Sequence, residues 1–191
     1  MDTKCGGDLY LRLAGIGDTS VCGGAISSVG IIFEQTSWWK YLTEPMRDLA
    51  QQSFTLLGMF NVQGSMSNQH DYSFVVFPMA KAYEGFLKKL FFDLGLINKQ
   101  QYGGDRFRVG KTLNPNLPKR YQWDWVYEKL VAVYRGDEVP LQMWEVWKKA
   151  RNRIFHFFPD HHEFITLQQA QELIREIGEV MEKALIQCDR V

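Results

Sequence analysis

"FPMAKAYEGFLKKLFFDLGLI", residues 77 to 97, decides the class of fold. Phe77, Ala80, Tyr83, Phe86, Leu87, Leu90 and Phe91 recur at spacings of three and four, which gathers them on one stripe of an α-helix. The stripe is wide enough to be buried. Asp71 stands where it can cap the start of this helix, and Pro78 is the one position at which it is expected to kink.

Working outward, Glu44-Pro45 opens a helix running to about Phe60, since proline suits a first turn. The polar, glycine-containing run 61–68 reads as a loop. On the other side, residues 98–120 form a connection rich in Gly, Pro and Asn. It carries Lys99, Arg106, Arg108, Lys111, Lys119 and Arg120 against the single Asp105. A connection this long in a compact domain either has a function or is unstructured. Two helices follow, one near Trp123 to Tyr134 and one from Pro140 to about Phe157, stopped by Pro159. The last starts at Thr166, where Thr166 and Gln169 make a capping box. Its stripe is Ala170, Leu173, Ile174, Ile177, Met181, Ala184, Leu185 and Cys188. The expected fold is therefore mainly α, a bundle of about five helices over residues 36–191 with antiparallel neighbours. Residues 1–35 are set apart by glycine. "DLYLRL" alternates and "VGIIFEQ" is β-branched, so a small Gly-rich β hairpin or annex is expected there. Gly15 and Gly17 lack the Lys-Ser/Thr ending of a phosphate loop.

The composition bounds function. A chain of 191 residues that is 46% hydrophobic and 14% aromatic can bury a core, which excludes disorder. Its 22 basic and 22 acidic residues cancel, so a nucleic-acid partner has to be met by a local patch. Three cysteines, an odd number without metal-ligand spacing, fit a reducing compartment, and a cytoplasmic location is expected. No stretch approaches the length needed to span a bilayer, so no membrane partner is expected.

The candidate chemistry lies in "KKARNRIFHFF", Lys148 to Phe158, which contains Arg151-Asn152-x-x-x-His156. On a straight α-helix Arg151 projects from the stripe Trp144, Trp147, Phe155 and Phe158. Asn152 and His156 lie four apart on the adjoining polar side with Glu145 and Lys149. A guanidinium among aromatic side chains is costly unless it snorkels or meets an acid. Arg151 and His156 are then roughly 140° apart, too far to aim at one small group from one straight helix. A two-fold homodimer would bring the same patch from two chains face to face, and would give the six Trp and the many Phe an interface to fill.

A helical bundle whose late helix carries Arg-Asn-x-x-x-His resembles the HEPN superfamily of ribonucleases, which are described by Arg-x4-6-His. "FPMAKAYEGFLKKLFFDLGLI", a basic linker and then "WKKARNRIFHFF" look most like the C-terminal toxin domain of the RNase LS toxin family. The likeness covers about residues 36 to 191, and the glycine-rich annex would correspond to the edge of a preceding domain. It implies metal-independent RNA cleavage by a dimer, toxicity to the host cell, neutralisation by an antitoxin protein and a role in phage defence. It also implies an acidic residue on an earlier helix, for which Glu84 is the match, either paired with Arg151 or making a helix pair with Lys88.

The residue types suit that chemistry. In RNA the 2′-OH attacks its own phosphodiester if a base takes its proton, a cation stabilises the phosphorane and an acid protonates the leaving 5′-oxygen. Imidazole serves as base or acid near neutrality, and guanidinium grips phosphate bidentately. His156 and Arg151 are the candidates, with Asn152 orienting the imidazole. Arg106, Arg108, Lys111, Lys148, Lys149 and Arg153 are the candidate RNA-binding cations, joined by Lys119 and Arg120. Phe107, Tyr121 and Trp123 offer stacking surfaces. No cofactor is called for. A zinc site at Asp160, His161, His162 and Glu163, near His156, lacks any supporting ligand motif. The HEPN version that partners a nucleotidyltransferase carries Tyr two residues after the motif His, where this chain has Phe158. A non-catalytic helical binding module, with Arg151 and His156 as satisfied core polar groups, is the alternative reading.

Overall fold

A computed structural model describes residues 34–62, 69–156, 159 and 164–188. The annex expected over 1–35 therefore falls almost wholly outside the described residues, as do most of the 61–68 loop and the Asp160–Glu163 run. The described chain is mainly helical and contains no strand. Its α-helices are α1 (Ser37–Tyr41), α2 (Glu44–Val62), α3 (Ser73–Asp93), α4 (Lys99–Gly103), α5 (Val109–Leu113), α6 (Tyr127–Tyr134), α7 (Glu138–Trp147) and α8 (Leu167–Cys188). A 3-10 helix, Lys119–Asp124, precedes α6, and a π-helical turn, Lys148–Arg153, follows α7. Among the described residues no helix is long and apolar enough to cross a membrane.

The centre of the bundle is α3, packed along α2 and against α8. Ala80, Tyr83, Phe86, Leu87, Leu90 and Phe91 of its stripe are all buried, while Phe77, at the open end, is 43% exposed. Pro78 does not break the helix because Ser53 of α2 repairs the ladder beside it. The Ser53 hydroxyl donates to the Val75 carbonyl at 2.8 Å and accepts the Met79 N–H at 2.9 Å, inserted between the two groups that would otherwise bond each other. Asp71 sits two residues before α3 rather than at its cap position. It accepts from the Ser73 N–H and hydroxyl and from the Ile165 N–H, tying the entry of α3 to the entry of α8. At the far end Gly95 takes φ 68°, letting Leu96 N–H return to Phe91 and Gly95 N–H to Phe92, which closes the helix.

The capping box at Thr166 and Gln169 is present, with bonds of 2.8 and 3.2 Å. The Glu182 carboxylate of α8 accepts from the Ser37 and Trp38 N–H groups and so holds α1, whose Trp38 is fully buried. Residues 98–120 are not a bare loop: Val109, Thr112, Leu113 and Leu117 are buried, and the segment runs over the bundle as an ordered strap. The helix expected near Trp123 starts later, at Tyr127. The single helix expected from Pro140 to Phe157 is two pieces, because α7 gives way to the π turn after Trp147.

Candidate functional site

The π turn carries most of the motif. Backbone bonds in such a turn span five residues, so side chains five apart move toward one face and are no longer splayed as on an α-helix. Arg151 and His156 have that spacing, although the turn itself ends at Arg153 and His156 follows on the exit. The straight-helix separation is thus the wrong starting geometry here.

Two contacts set the turn against α3. Tyr83, fully buried, donates its hydroxyl to the Met143 carbonyl at 2.9 Å, which fixes the register of α7 on α3. Burial pushes the Tyr83 pKa up, so it stays a neutral donor. One residue further along α3, Glu84 accepts from Arg151 Nε at 3.3 Å, and both side chains are about a third exposed. Lys88, the other partner considered for Glu84, instead donates to the Gly104 carbonyl of the strap.

The Arg151 guanidinium lies 5.7 Å from the centre of the Phe155 ring, and Phe155 meets Phe77 edge-on at 5.1 Å. Arg151 is thus held through Nε and flanked by an aromatic ring. Among the described residues its two terminal nitrogens make no hydrogen bond. That is the fork that matches a phosphate. Asn152 is half-buried and His156 is exposed. Phe158 lies outside the described residues.

The candidate RNA-binding cations fall into two groups. Next to the motif, Lys148 pairs with Glu145 at 3.7 Å and Lys149 with Glu176 at 3.1 Å, so both charges are compensated within the chain. Arg153 is exposed. On the strap, Arg106 and Arg108 are exposed and have no carboxylate partner among the described residues. Lys111 and Arg120 both rest on the Tyr121 ring, at 5.1 and 4.7 Å, which occupies Tyr121 as a stacking surface. Trp123, by contrast, is 77% exposed.

Asn98, Gln100, Gln101, Gly104, Asp105, Arg106, Phe107 and Trp123 line an open cleft of about 620 Å³. None of Glu84, Arg151, Asn152 and His156 lines it. The sequence reading did not find this cleft, although Asn98-x-x-Gln101 is a capping-box pattern and was legible. The box is present, with the Asn98 side chain accepting from the Gln101 N–H and the Gln101 side chain from the Asn98 N–H, both at 2.9 Å.

The strap is seated on the motif-bearing helix at one point. A Cβ on Gly110 of α5 would lie 2.0 Å from Cη2 of Trp147, the last residue of α7. Only glycine allows that approach. No protein-family model, curated protein or solved structure matches the chain.

Proposed function

We propose that the chain is a metal-independent endoribonuclease toxin of the HEPN type. It is a cytoplasmic protein of a toxin-antitoxin or phage-defence system, built on a HEPN-like bundle over residues 36–191 and held in check by an antitoxin protein. The observation that carries this reading is the posture of Arg151, anchored to Glu84 through Nε with its terminal nitrogens left for a phosphate, five residues before an exposed His156. A satisfied core arginine would have its whole fork engaged. The motif's role still rests on the resemblance of its residues and on the chemistry they suit.

In this mechanism Arg151 binds the scissile phosphate and stabilises the charge of the phosphorane. His156 takes the 2′-OH proton as the 2′-oxygen attacks phosphorus. The P–O5′ bond breaks, and a second imidazole protonates the departing 5′-oxygen. The products are a 2′,3′-cyclic phosphate and a 5′-hydroxyl. One chain supplies one motif histidine, so the second comes from the same residue of another copy in a homodimer. The exposed Phe77 beside Phe155 gives such a contact an apolar surface next to the motif. Asn152, four residues before His156, orients the ring.

The competing reading is a non-catalytic helical module. It is favoured by the cleft, which no motif residue lines. RNA incubated in EDTA with wild type and with His156→Ala separates the two. Wild type is expected to leave 2′,3′-cyclic phosphate ends, and the variant to lose about 10²–10⁴-fold in rate. Equal cleavage by both proteins removes the enzyme reading and leaves the binding one. A strict monomer at micromolar concentration by sizing counts against the composite site.

A further inference from the structure

The cleft between α4 and the 3-10 helix is a second place where the strap's chemistry converges. Trp123 presents one of the largest exposed aromatic surfaces of the described chain, and it lines this cleft with Phe107. Arg106 lines it too, without a carboxylate partner among the described residues. The amides of Asn98, Gln100 and Gln101 lie on the same wall. Asp105 also lines the cleft but makes no ion pair with Arg106. An aromatic face, a guanidinium outside any ion pair and a row of amides are the three contacts an unpaired nucleotide needs: a surface to stack on, a cation for its phosphate and groups for the edge of its base. An apolar ligand would have no use for Arg106 and the amides. A simple anion would have none for Trp123.

The wall is held before any ligand arrives. The Asn98 amide oxygen is committed to the Gln101 N–H, which fixes that side chain and leaves its NH₂ as the donor it offers. Behind it, Tyr102 stacks on Phe92 at 4.8 Å, and Lys88 donates to the Gly104 carbonyl at 2.9 Å, fastening the strap to α3. On the opposite side Gln122 donates to the Leu117 carbonyl and Trp125 to the Asn114 carbonyl, both at 2.8 Å, which pins the 3-10 segment around Trp123. Of the three aromatic residues that the sequence offers as stacking surfaces, Tyr121 already carries two cations and Phe107 is half-buried, so Trp123 is the open platform.

We propose that this cleft holds one unpaired base of single-stranded RNA, stacked on Trp123, with its phosphate on Arg106 and its edge on the Asn98 and Gln100 amides. The proposal rests on the RNA reading above for its ligand, but it makes the strap a substrate-gripping subsite separate from the Arg151–His156 chemistry.

The test uses the full chain carrying His156→Ala, so that bound RNA is not consumed, and follows anisotropy of a fluorescent single-stranded hexaribonucleotide. Trp123→Ala is expected to weaken binding about fivefold to a hundredfold, the range for losing one stacked base. Trp123→Phe is expected to recover most of it. Inorganic polyphosphate carries the charge without the bases, and its affinity is expected to be the same for the parent and Trp123→Ala. The subsite is overturned if Trp123→Ala binds the RNA as tightly as the parent, if polyphosphate displaces the RNA as well as unlabelled RNA does, or if polyglutamate displaces it better. The two readings fail separately. Trp123-dependent binding by a wild-type protein that cleaves nothing sinks the nuclease and keeps the subsite, whereas cleavage with an unchanged KM in Trp123→Ala does the reverse.

Discussion

The turn after α7 and the strap, taken with the 3-10 helix that ends it as residues 98–124, are both rich in cations, and they handle them in opposite ways. Three of the four cations on the turn are paired: Lys148 with Glu145, Lys149 with Glu176 and Arg151 with Glu84. On the strap Arg106 and Arg108 have no carboxylate partner among the described residues, and Lys111 and Arg120 lean on an aromatic ring, which leaves their charge intact. A paired cation projects little field beyond its partner, so it holds position rather than attracting a ligand from solution. Unpaired cations do the attracting. The difference divides labour within one molecule: the strap is built to gather an anionic chain, and the turn to present one guanidinium in a set pose. In the proposed nuclease those are binding and chemistry.

The division depends on the two regions being mechanically joined, and Gly110 is the joint. Gly110→Ala puts a methyl 2.0 to 2.5 Å from three ring atoms of Trp147. Trp147 is itself stacked on Trp144 at 5.9 Å, so the ring has little room to give. Forcing extra volume into such a contact costs about 1–3 kcal/mol. Gly103→Ala is the control, because an added Cβ there meets nothing within 4 Å. Chemical denaturation of the two variants is expected to place Gly110→Ala well below wild type and Gly103→Ala within about 0.5 kcal/mol of it. Equal midpoints would mean that the strap is not seated on α7.

What the sequence disclosed and what it hid follow the same physical line. The α3 stripe, the Glu44-Pro45 start and the Thr166–Gln169 box were legible because each is local: a periodicity, a fixed φ, a reciprocal pair of bonds. The π turn was not, and it removes the straight helix on which the angle between Arg151 and His156 was reckoned. The strap's short helices were hidden by its Gly and Pro content, and the value of Gly110 by its partner 37 positions away in sequence. The six tryptophans read as a surplus in need of an interface. Trp38 is instead core, and Trp144 and Trp147 are stacked and half-buried, with Trp123 the strongly exposed one among those described. The pairing of Glu84 with Arg151 was one of two open choices, decided by the register that the Tyr83–Met143 bond imposes.

The charge contrast itself is sharpened by salt. For single-stranded nucleic acid each lost phosphate contact flattens the slope of log affinity against log salt by about 0.7. Arg106→Gln with Arg108→Gln is therefore expected to flatten the slope for a single-stranded oligoribonucleotide by about 1.4. Lys148→Gln with Lys149→Gln removes two formal charges as well, but from ion pairs, and should change the slope by well under 0.7. If the second double variant flattens it as much as the first, the paired lysines are binding RNA and the contrast collapses.

The smallest effect concerns a carboxylate at the end of α3, a few residues before the strap. Asp93, at the end of α3, accepts from Lys89 at 2.6 Å and from the Tyr41 hydroxyl of α1 at 2.5 Å. Partial burial raises its pKa, but the hydrogen bonds from Lys89 and Tyr41 outweigh that and hold it below the usual carboxylate value. A group whose pKa is lower folded than unfolded adds stability that is fully present above about pH 4 and drains away as pH falls through the folded value. The Asp93 side chain is 40% exposed, so solvent screening keeps the contribution below about 1 kcal/mol. Asp93→Asn is expected to cost that much in urea denaturation at pH 7 and less at acid pH, where the folded carboxylate begins to take up its proton. A cost that stays the same at both pH values would show that Asp93 acts through its shape and neutral hydrogen bonds, and that its charge holds nothing at the end of α3.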